Sequence, residues 1–220
     1  MSGKSLQDTV PLKTLLPYSI FRAQMLNQAD QNKNNLLTYL EALAVNKITN
    51  ATSNPKNYKG IEVFQNLDSL YLERPDITSI DLSKNDKMTF LDIHWQDNLT
   101  SVVVSKKAPF VFIRVSDNGL TSFDASGLIH LKTLLVGAQR LTYLNIQNTT
   151  LTYLNAFENP EISVCVNSEA QWNAIPQNDL RKCGADPLAT YCKYKLTCIN
   201  VTGLENEPLP EKSSEFKTLN

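Results

Sequence analysis

Oxygen-bearing side chains recur at short, regular intervals in one segment near the N-terminus, residues 30–41, which reads DQNKNNLLTYLE. The oxygen donors of this segment are the side chains of Asp30, Asn32, Asn34, Thr38 and Glu41 and the backbone carbonyl of Leu36. Calcium takes six to eight oxygen ligands, including a bidentate carboxylate, and this spacing supplies them. Because only two of the ligands are carboxylates, the segment predicts a calcium site of weak affinity.

The segment resembles an EF-hand loop, in which these ligands occupy positions one, three, five, seven, nine and twelve. It departs from that pattern at position six, where Asn35 stands in place of the usual glycine. Asparagine tolerates the left-handed backbone conformation better than most residues, so we expect the turn to form. Helices are expected over about residues 19–29 and from about residue 38. The alternative is a polar helix–turn–helix that caps the rest of the chain without binding metal.

A short apolar pattern, L-x-x-L-x-L, recurs every 10 or 11 residues between residues 67 and 166. Its second apolar position falls at Leu70, Ile80, Leu91, Val102, Ile113, Phe123, Leu134, Leu144, Leu154 and Val164. The L-x-L part has the two-residue period of a strand with one buried face, and the leading residue turns the chain into the core. A fixed period of this kind predicts a solenoid, in which stacked units bury a continuous core.

Ten residues are too few for a leucine-rich coil, which takes about 20 to 29, so we expect two units in each coil. Every second unit supports this pairing with an amide three residues after its last apolar position, at Gln96, Asn118, Gln139 and Asn159. Such a side chain can satisfy backbone groups at a bend. The predicted fold class is α/β: a leucine-rich-repeat solenoid of about five coils with parallel strands, an α-helical N-terminal cap and a small C-terminal cap. The amide-bearing strands form one side of a flattened coil, and the remaining strands form the other.

Four segments carry a family likeness: GIEVFQNLDSLYL, LTSVVVS, LTSFDASGLIHLKTL and LTYLNIQNTTLTYLNAFENPEISVCV. Through them, residues 61–166 resemble the secreted or surface leucine-rich-repeat proteins of bacteria, particularly the short-repeat kind. The resemblance implies a right-handed parallel solenoid with a role in binding. It also implies a helical segment ahead of the repeats, as residues 30–41 suggest. It names no ligand.

The repeats divide the 220-residue chain into five parts. These are an N-terminal extension (1–18), an EF-hand-like helical cap with a connector (19–60), the solenoid (61–166), a cysteine-bearing C-terminal cap (167–200) and a tail or linker (201–220). The cysteines are Cys165, Cys183, Cys192 and Cys198, with no C-x-x-C pair. This even count favours two disulfides over a zinc site and leaves three connectivities open. Reduced thiols in a cytosolic chain are the alternative, but the resemblance favours an extracellular or cell-surface location.

The outward residues of the two strand series differ in character. One series is small and hydrophilic, with Asp81 and Asp124 among serines, and the amide-bearing series carries aromatic and charged residues. The ligand-binding face predicted on the amide-bearing series consists of Tyr71, Phe90, Asp92, His94, Phe112, Arg114, Tyr153, Asn155 and Phe157. Exposed aromatic residues on a rigid surface mark binding sites, although a flanking segment that covered them would give the same sequence pattern.

We therefore expect a non-enzymatic module that binds a host or cell-surface protein, with carbohydrate binding as the alternative. A hydrolase is least favoured, because no catalytic motif occurs and Asp92 lies on the opposite strand series from the other two candidate aspartates, Asp81 and Asp124. The net charge of −1 does not favour nucleic acid. No run of about 18 apolar residues is present to span a membrane. Calcium is the only cofactor that the sequence suggests.

Overall fold

The computed structural model describes residues 5, 7–10, 12–50, 54–137, 140–159, 161–182 and 193–198. Three short helices come first: α1 (Leu12–Leu15), α2 (Ser19–Ala29) and α3 (Tyr39–Ala44). The two helices expected on either side of the oxygen-rich loop are thus confirmed as α2 and α3. Within the described residues, no helix has the length and apolar character needed to cross a membrane.

The N-terminal extension packs onto this helical cap. Its residue Thr9 forms an antiparallel bridge with Thr38 of the cap, and the backbone N–H of Val10 donates to the carbonyl of Leu37 at 2.6 Å. The turn at Gly60, with φ 96°, leads into a 3-10 helix (Ile61–Val63). A Cβ atom at Gly60 would overlap the backbone carbonyl of Leu15. Glycine is therefore required there both for the left-handed conformation and for the close approach of α1.

Strands make up the solenoid. In chain order they are β1 (Lys47–Thr49), β2 (Ser69–Glu73), β3 (Ser79–Leu82), β4 (Phe90–Gln96), β5 (Ser101–Val104), β6 (Phe112–Asn118), β7 (Ser122–Asp124), β8 (Thr133–Leu135), β9 (Tyr143–Asn145), β10 (Tyr153–Asn155), β11 (Glu161–Cys165), β12 (Gln177–Asn178) and β13 (Lys193–Thr197). Two short helices, α4 (Glu169–Asn173) and α5 (Asp179–Lys182), accompany the last strands.

The strands assemble into a front and a back, and all their sheet pairings are parallel. The front is a seven-stranded sheet in the order β1-β2-β4-β6-β8-β10-β12. The back consists of two sheets, β3-β5 and β7-β9-β11-β13. Successive front strands are separated by a back strand along the chain, so each coil uses two of the apolar units. The predicted parallel solenoid with two units in each coil is confirmed.

The apolar positions of the repeat form one continuous core. Of the ten second positions, all are buried except Val102, which is half-buried and packs against the core. Burying a leucine- or isoleucine-sized side chain contributes about 1.5–3 kcal/mol, so the core dominates the favourable free energy of folding. The strand register predicted from the sequence is therefore confirmed, since a slip by one residue would have turned these side chains outward.

Buried asparagines satisfy backbone carbonyls at the bends. Asn118 Nδ2 donates to Ile93 O at 3.0 Å, and Asn159 Nδ2 donates to Val136 O at 3.1 Å. This is the role predicted for the amide column, of which Gln139 and the side chain of Gln96 lie outside the described part of the chain. Asn85, which belongs to the other series, also donates from a buried position, to Ile61 O at 3.1 Å. Buried amides therefore serve bends on both sides of the coil.

Each end of the front sheet has one more strand than the five predicted. At the N-terminal end, β1 lies in the segment expected to be a connector, and its Ile48 is fully buried. Gln24 and Gln28 of α2 cover this edge, because their side-chain amides donate to Thr49 O at 2.6 Å and Lys47 O at 2.5 Å. The α2 helix therefore uses carbonyls that would otherwise template another strand. At the C-terminal end, β12 extends the sheet.

The C-terminal cap covers the last coil as predicted. Ser168 caps α4 by accepting the backbone N–H of Gln171 at 3.2 Å, and Trp172 is buried beneath it. A disulfide joins Cys165 to Cys198 and ties β13 to β11. Cys183 and Cys192 lie outside the described residues, as does the predicted tail of residues 201–220.

Candidate functional site

The oxygen-rich loop folds around its own backbone N–H groups. The Asp30 carboxylate accepts the N–H groups of Asn34 (3.2 Å) and Asn35 (2.7 Å), and Asn32 Oδ1 also accepts that of Asn34 (3.0 Å). Asn34 Oδ1 accepts the N–H of Leu36 at 2.8 Å. Asn35, at the position of the usual glycine, has φ 60°. The loop therefore makes the expected left-handed turn and directs the predicted ligand oxygens toward its own backbone.

The last two predicted ligands form a capping box at the start of α3. Glu41 Oε2 accepts the backbone N–H of Thr38 at 2.8 Å and its hydroxyl at 2.9 Å, and Oε1 accepts the N–H of Gln31 at 3.2 Å. The Thr38 backbone N–H is the main reason that the pKa of Glu41 lies below its ordinary value, although burial acts in the opposite direction. Glu41 is therefore charged at neutral pH, and a cation that used it would compete with the capping box.

The loop offers a donor set of two carboxylates, two amides, a hydroxyl and a carbonyl. Such hard oxygen ligands suit calcium rather than a transition metal. In the part of the chain that the structure describes, no group of three or more His, Cys, Asp and Glu side chains is placed to hold a metal ion. Any cation bound here would therefore depend on the amide, hydroxyl and carbonyl oxygens of the loop.

The front sheet places the predicted face residues in columns that run across the strands. One column contains Ser69, Phe90, Phe112, Thr133 and Tyr153, and the next contains Tyr71, Asp92, Arg114, Leu135 and Asn155. Neighbouring members of a column are about 4.8 Å apart because they belong to adjacent strands. With His94 in the next column, eight of the nine predicted residues lie at outward positions of one sheet, and Phe157 lies two residues after the end of β10.

Two aromatic rings form the centre of this face. The rings of Phe90 and Phe112 stack with their centroids 4.8 Å apart and their planes 8° from parallel. Both side chains are half-buried, which corrects the expectation of fully exposed rings, because each ring covers part of the other. Part of each side chain therefore stays exposed to solvent.

Asp92 and His94 are buried, with 6% and 3% of their surface exposed, although the sequence predicted that they contact a ligand. His94 Nδ1 lies 2.7 Å from Asp92 Oδ1. The rings of Tyr71 and Trp95 pack against the imidazole with centroids 5.6 Å and 4.7 Å away. The Asp92–His94 pair therefore supports the side chains above it rather than forming part of the exposed face. Enclosed in this way, it is poorly placed to act on a substrate as an acid–base pair.

Arg114 links the buried pair to the surface. Its Nε lies 3.9 Å from Asp92 Oδ1, and the two residues are direct partners across β4 and β6. At this separation the contact is a weak ion pair, and the Arg114 side chain stays 30% exposed. The guanidinium is therefore oriented by Asp92 and retains donors for another group.

The C-terminal end of the face is partly covered. Asp179 of α5 accepts hydrogen bonds from the Tyr153 hydroxyl at 3.1 Å and from Asn155 Nδ2 at 3.0 Å. The alternative that a flanking segment covers the face is thus realised at β10, whereas none of the described segments covers the face at β4 and β6. Between β6 and β10 lies a depression of about 280 Å³ with Leu135 and Gly137 between the two strands. A Cβ at Gly137 would lie 2.6 Å from Asn155 Oδ1, so a larger residue there would displace the Asn155 side chain.

Sequence reasoning missed Trp95 and Arg74. Trp95 is 48% exposed, and the Arg74 guanidinium lies over its ring, 5.1 Å from the centroid. Strict alternation after His94 places the next residue inside the core, which is why Trp95 was not predicted on the surface. Its φ of 62° removes it from the alternating pattern. The residue types alone could have indicated this site, since tryptophan and arginine are enriched at the energetic centres of interfaces.

On the back, the polar residues bond to their own backbone. Asp81 accepts the N–H of Ser83, and Asp124 that of Ser126, each at 2.9 Å. These hydrogen bonds help to hold the pKa of both aspartates below the ordinary value, and burial raises the pKa of Asp124 in opposition. Asp124 also pairs with Lys106 at 3.1 Å. The Ser-x-Asp-x-Ser pattern of the back therefore stabilises the turns that follow the strands.

A parallel solenoid built from paired L-x-x-L-x-L units, with a helical cap at one end, places the molecule in the leucine-rich-repeat class of folds. No family model matches the sequence, and no curated protein matches it. Among solved structures, the chain is similar to an internalin, inlF, from Listeria monocytogenes, with a TM-score of 0.49 and 15% identity over 91% of this chain and 62% of that one. It is also similar to internalin C2 of the same species, with a TM-score of 0.45 and 15% identity over 89% of this chain and 100% of that one. This chain spans less than two thirds of the first of these proteins, and a likeness at this level carries no argument about function.

Proposed function

We propose that the chain is a non-enzymatic protein-binding module of an extracellular or cell-surface protein, and that it binds through the front of the solenoid. The exposed half of the front sheet, formed by β2, β4 and β6, is the region that we assign to the partner. The Cys165–Cys198 disulfide supports an oxidising location, since such bonds persist outside the reducing cytosol.

The observation that carries this proposal is the Phe90–Phe112 stack. The backbone beneath it is held by ladder hydrogen bonds on both sides, and the inward neighbours Leu91 and Ile113 are fully buried. The rings therefore occupy one arrangement before any partner arrives. A preorganised aromatic surface loses little side-chain entropy on contact, which favours binding.

The polar groups around the stack suit a protein interface. Arg114 lies two residues after Phe112 on β6, and Thr133 of β8 is the direct partner of Phe112. An apolar centre with an arginine beside it has the composition that protein interfaces favour. A carbohydrate would also stack on such rings, so glycan binding is an outcome that the experiment must be able to reveal.

The experiment is a binding screen of the immobilised chain against extracellular proteins and, in parallel, against a glycan array. We expect a protein partner. Phe90→Ala and Phe112→Ala should each weaken its binding by about 1–3 kcal/mol, the cost of removing an interface anchor.

Val103→Ala is the matched control, because Val103 is an apolar residue on the back that is 46% exposed. It should leave affinity unchanged, and so should Ser101→Tyr, which adds a bulky ring to the same side. If the back variants lost binding while the front variants kept wild-type affinity, the partner would bind the back of the solenoid and the proposed face would be wrong. If the screen found glycans and no protein, the partner would be a carbohydrate and the proposed protein partner would be wrong.

We also propose that residues 30–41 bind calcium weakly. Supporting observations are the left-handed turn at Asn35 and the inward-facing oxygens of Asp30, Asn32 and Asn34. A dissociation constant of about 10⁻⁴ to 10⁻³ M is expected, because so few ligands are charged. Calorimetry at millimolar calcium should show heat for the wild type and less for Asp30→Asn, which removes one charge. If the wild type gave the same thermogram with calcium as a calcium-free blank, the calcium proposal would be wrong, and the loop would serve only to cap α3.

A further inference from the structure

We propose that Arg74 and Trp95 form a recognition site for a carboxylate side chain of the partner protein, with an apolar group next to that carboxylate packing on the indole. The site lies at the carboxyl end of the front strands, and the Phe90–Phe112 stack lies at the amino end of β4 and β6 in the same sheet. It rests on the proposed function, because it names the chemistry of the partner at that same face.

The backbone at this position is unusual in every coil where it is described. Arg74, Trp95, Asp117 and Glu158 have φ values of 46°, 62°, 55° and 60°. The conformation belongs to the bend, and glycine or asparagine would adopt it at least cost. A tryptophan there gains little from the core, because almost half of its surface faces solvent. What it contributes is a large ring held at the surface.

Two neighbouring side chains contact the Trp95 ring. One contact is the edge of His94, whose imidazole is fixed by Asp92 at 2.7 Å. The other is the Arg74 guanidinium, 5.1 Å from the ring centroid. A guanidinium over an indole is attracted to the ring quadrupole and loses rotational freedom. The two side chains are thus arranged together before binding.

The Arg74 main chain is held in place by β4 and by the segment that precedes the first full coil. Its N–H donates to His94 O at 2.9 Å, and its carbonyl accepts from Asn54 Nδ2 at 3.2 Å. The adjoining Glu73 exchanges two hydrogen bonds with Asn50, at 2.8 Å and 3.0 Å. These contacts fix the direction in which the Arg74 side chain leaves the sheet.

The charge of Arg74 is not neutralised within the described part of the chain, where the guanidinium has no carboxylate within 4.0 Å. The adjoining carboxylate, Glu73, accepts instead from the Tyr71 hydroxyl at 3.4 Å. An arginine that is oriented, exposed and unpaired presents a planar fork of donors, which matches a carboxylate in a bidentate manner. The exposed indole beside it selects a carboxylate that has an apolar neighbour.

The chain offers a direct readout. It has two tryptophans, of which Trp172 is 2% exposed and Trp95 is 48% exposed. The two indole N–H signals can be followed separately by NMR and assigned with Trp95→Phe. The probe is the blocked tripeptide acetyl-Leu-Glu-Leu-amide, and its uncharged isostere acetyl-Leu-Gln-Leu-amide is the control peptide.

We expect the glutamate peptide to shift the Trp95 signal and leave that of Trp172 in place, and the glutamine peptide to shift neither. Arg74→Gln should abolish the shift, and Arg74→Lys should retain part of it because the charge remains but the planar fork is lost. Lys84→Gln, which removes one positive charge from an exposed site after β3, should behave like the wild type.

Equal shifts with both peptides, or a full shift in Arg74→Gln, would overturn the carboxylate site. A shift with 3′-sialyllactose and none with the glutamate peptide would overturn it in favour of an acidic glycan. The outcome is separable from that of the proposed function. If Phe90→Ala loses the partner protein and Arg74→Gln does not, the binding face stands and this site within it falls.

Discussion

The front and the back of the solenoid share one core and differ in how their outward polar groups are satisfied. On the back, Asp81 and Asp124 bond to N–H groups two residues ahead in the same strand end. On the front, the polar groups bond across strands, as in the contact between Asp92 and Arg114, or between the side chains of one strand, as in the pair formed by His94 and Asp92. Local bonds secure each turn separately, whereas the front contacts create a continuous surface.

This difference shows why a hydrophilic face is not automatically a binding face. The back serines and aspartates look available in the sequence, yet their acceptors are used by the turns. The front looks crowded, yet Phe90, Phe112 and Arg74 keep solvent-facing groups in fixed positions. Preorganisation, rather than polarity, distinguishes the two faces.

The shared core gives the largest expected effect. Leu134 of β8 faces inward from the front, Leu144 of β9 faces inward from the back, and both are fully buried. Leu134→Ala and Leu144→Ala should each lower the free energy of unfolding by about 2–5 kcal/mol, through lost transfer energy and the cavity left behind. Urea denaturation measures both. A large cost for one and a negligible cost for the other would mean that the two faces do not share a core.

The disulfide tests the back separately. Cys165 and Cys198 are 33 residues apart in sequence, and their bond ties β13 to the last described coil. Cys198→Ser should reduce the free energy of unfolding by about 2–4 kcal/mol, because the crosslink restricts the unfolded chain. Binding at the front should be unchanged when measured on the folded variant. A variant that kept its stability but lost its partner would contradict the separation between the two faces.

The fold could be predicted from the sequence because the solenoid repeats one local rule. Positions such as Leu70, Leu91 and Ile113 are inward for the same reason in each coil, so many weak signals agree. The short end strands β1 and β12 were missed, since they lack the repeat and exist because a neighbouring strand offers its edge.

The candidate site was harder to predict, because it depends on contacts between coils and on departures from the rule. The alternation correctly placed Phe90 and Phe112 on the outward side of the front sheet. It could not indicate that Asp92 and His94 lie buried under other side chains, which depends on the size of neighbours in adjacent coils. Trp95 was missed because the spacing of apolar residues does not indicate which residue near the end of a strand adopts a left-handed backbone conformation.

The smallest expected effect concerns the back aspartates and is visible in its pH dependence. The hydrogen bonds from Ser83 hold the pKa of Asp81 below its ordinary value, and for Asp124 the bonds from Ser126 and Lys106 outweigh the opposing effect of burial. A carboxyl group with a lowered pKa in the folded state stabilises the fold above its unfolded pKa of about 3.9 and loses that contribution as the pH falls through the folded value.

Asp124→Asn keeps an acceptor for Ser126 but removes the charge that pairs with Lys106. Because this pair is solvent-exposed, the variant should lose at most about 1 kcal/mol at pH 7, and the difference from wild type should vanish near pH 2. Thermal unfolding at the two pH values measures it, and a difference that persisted in acid would show that the carboxylate acts through packing rather than charge.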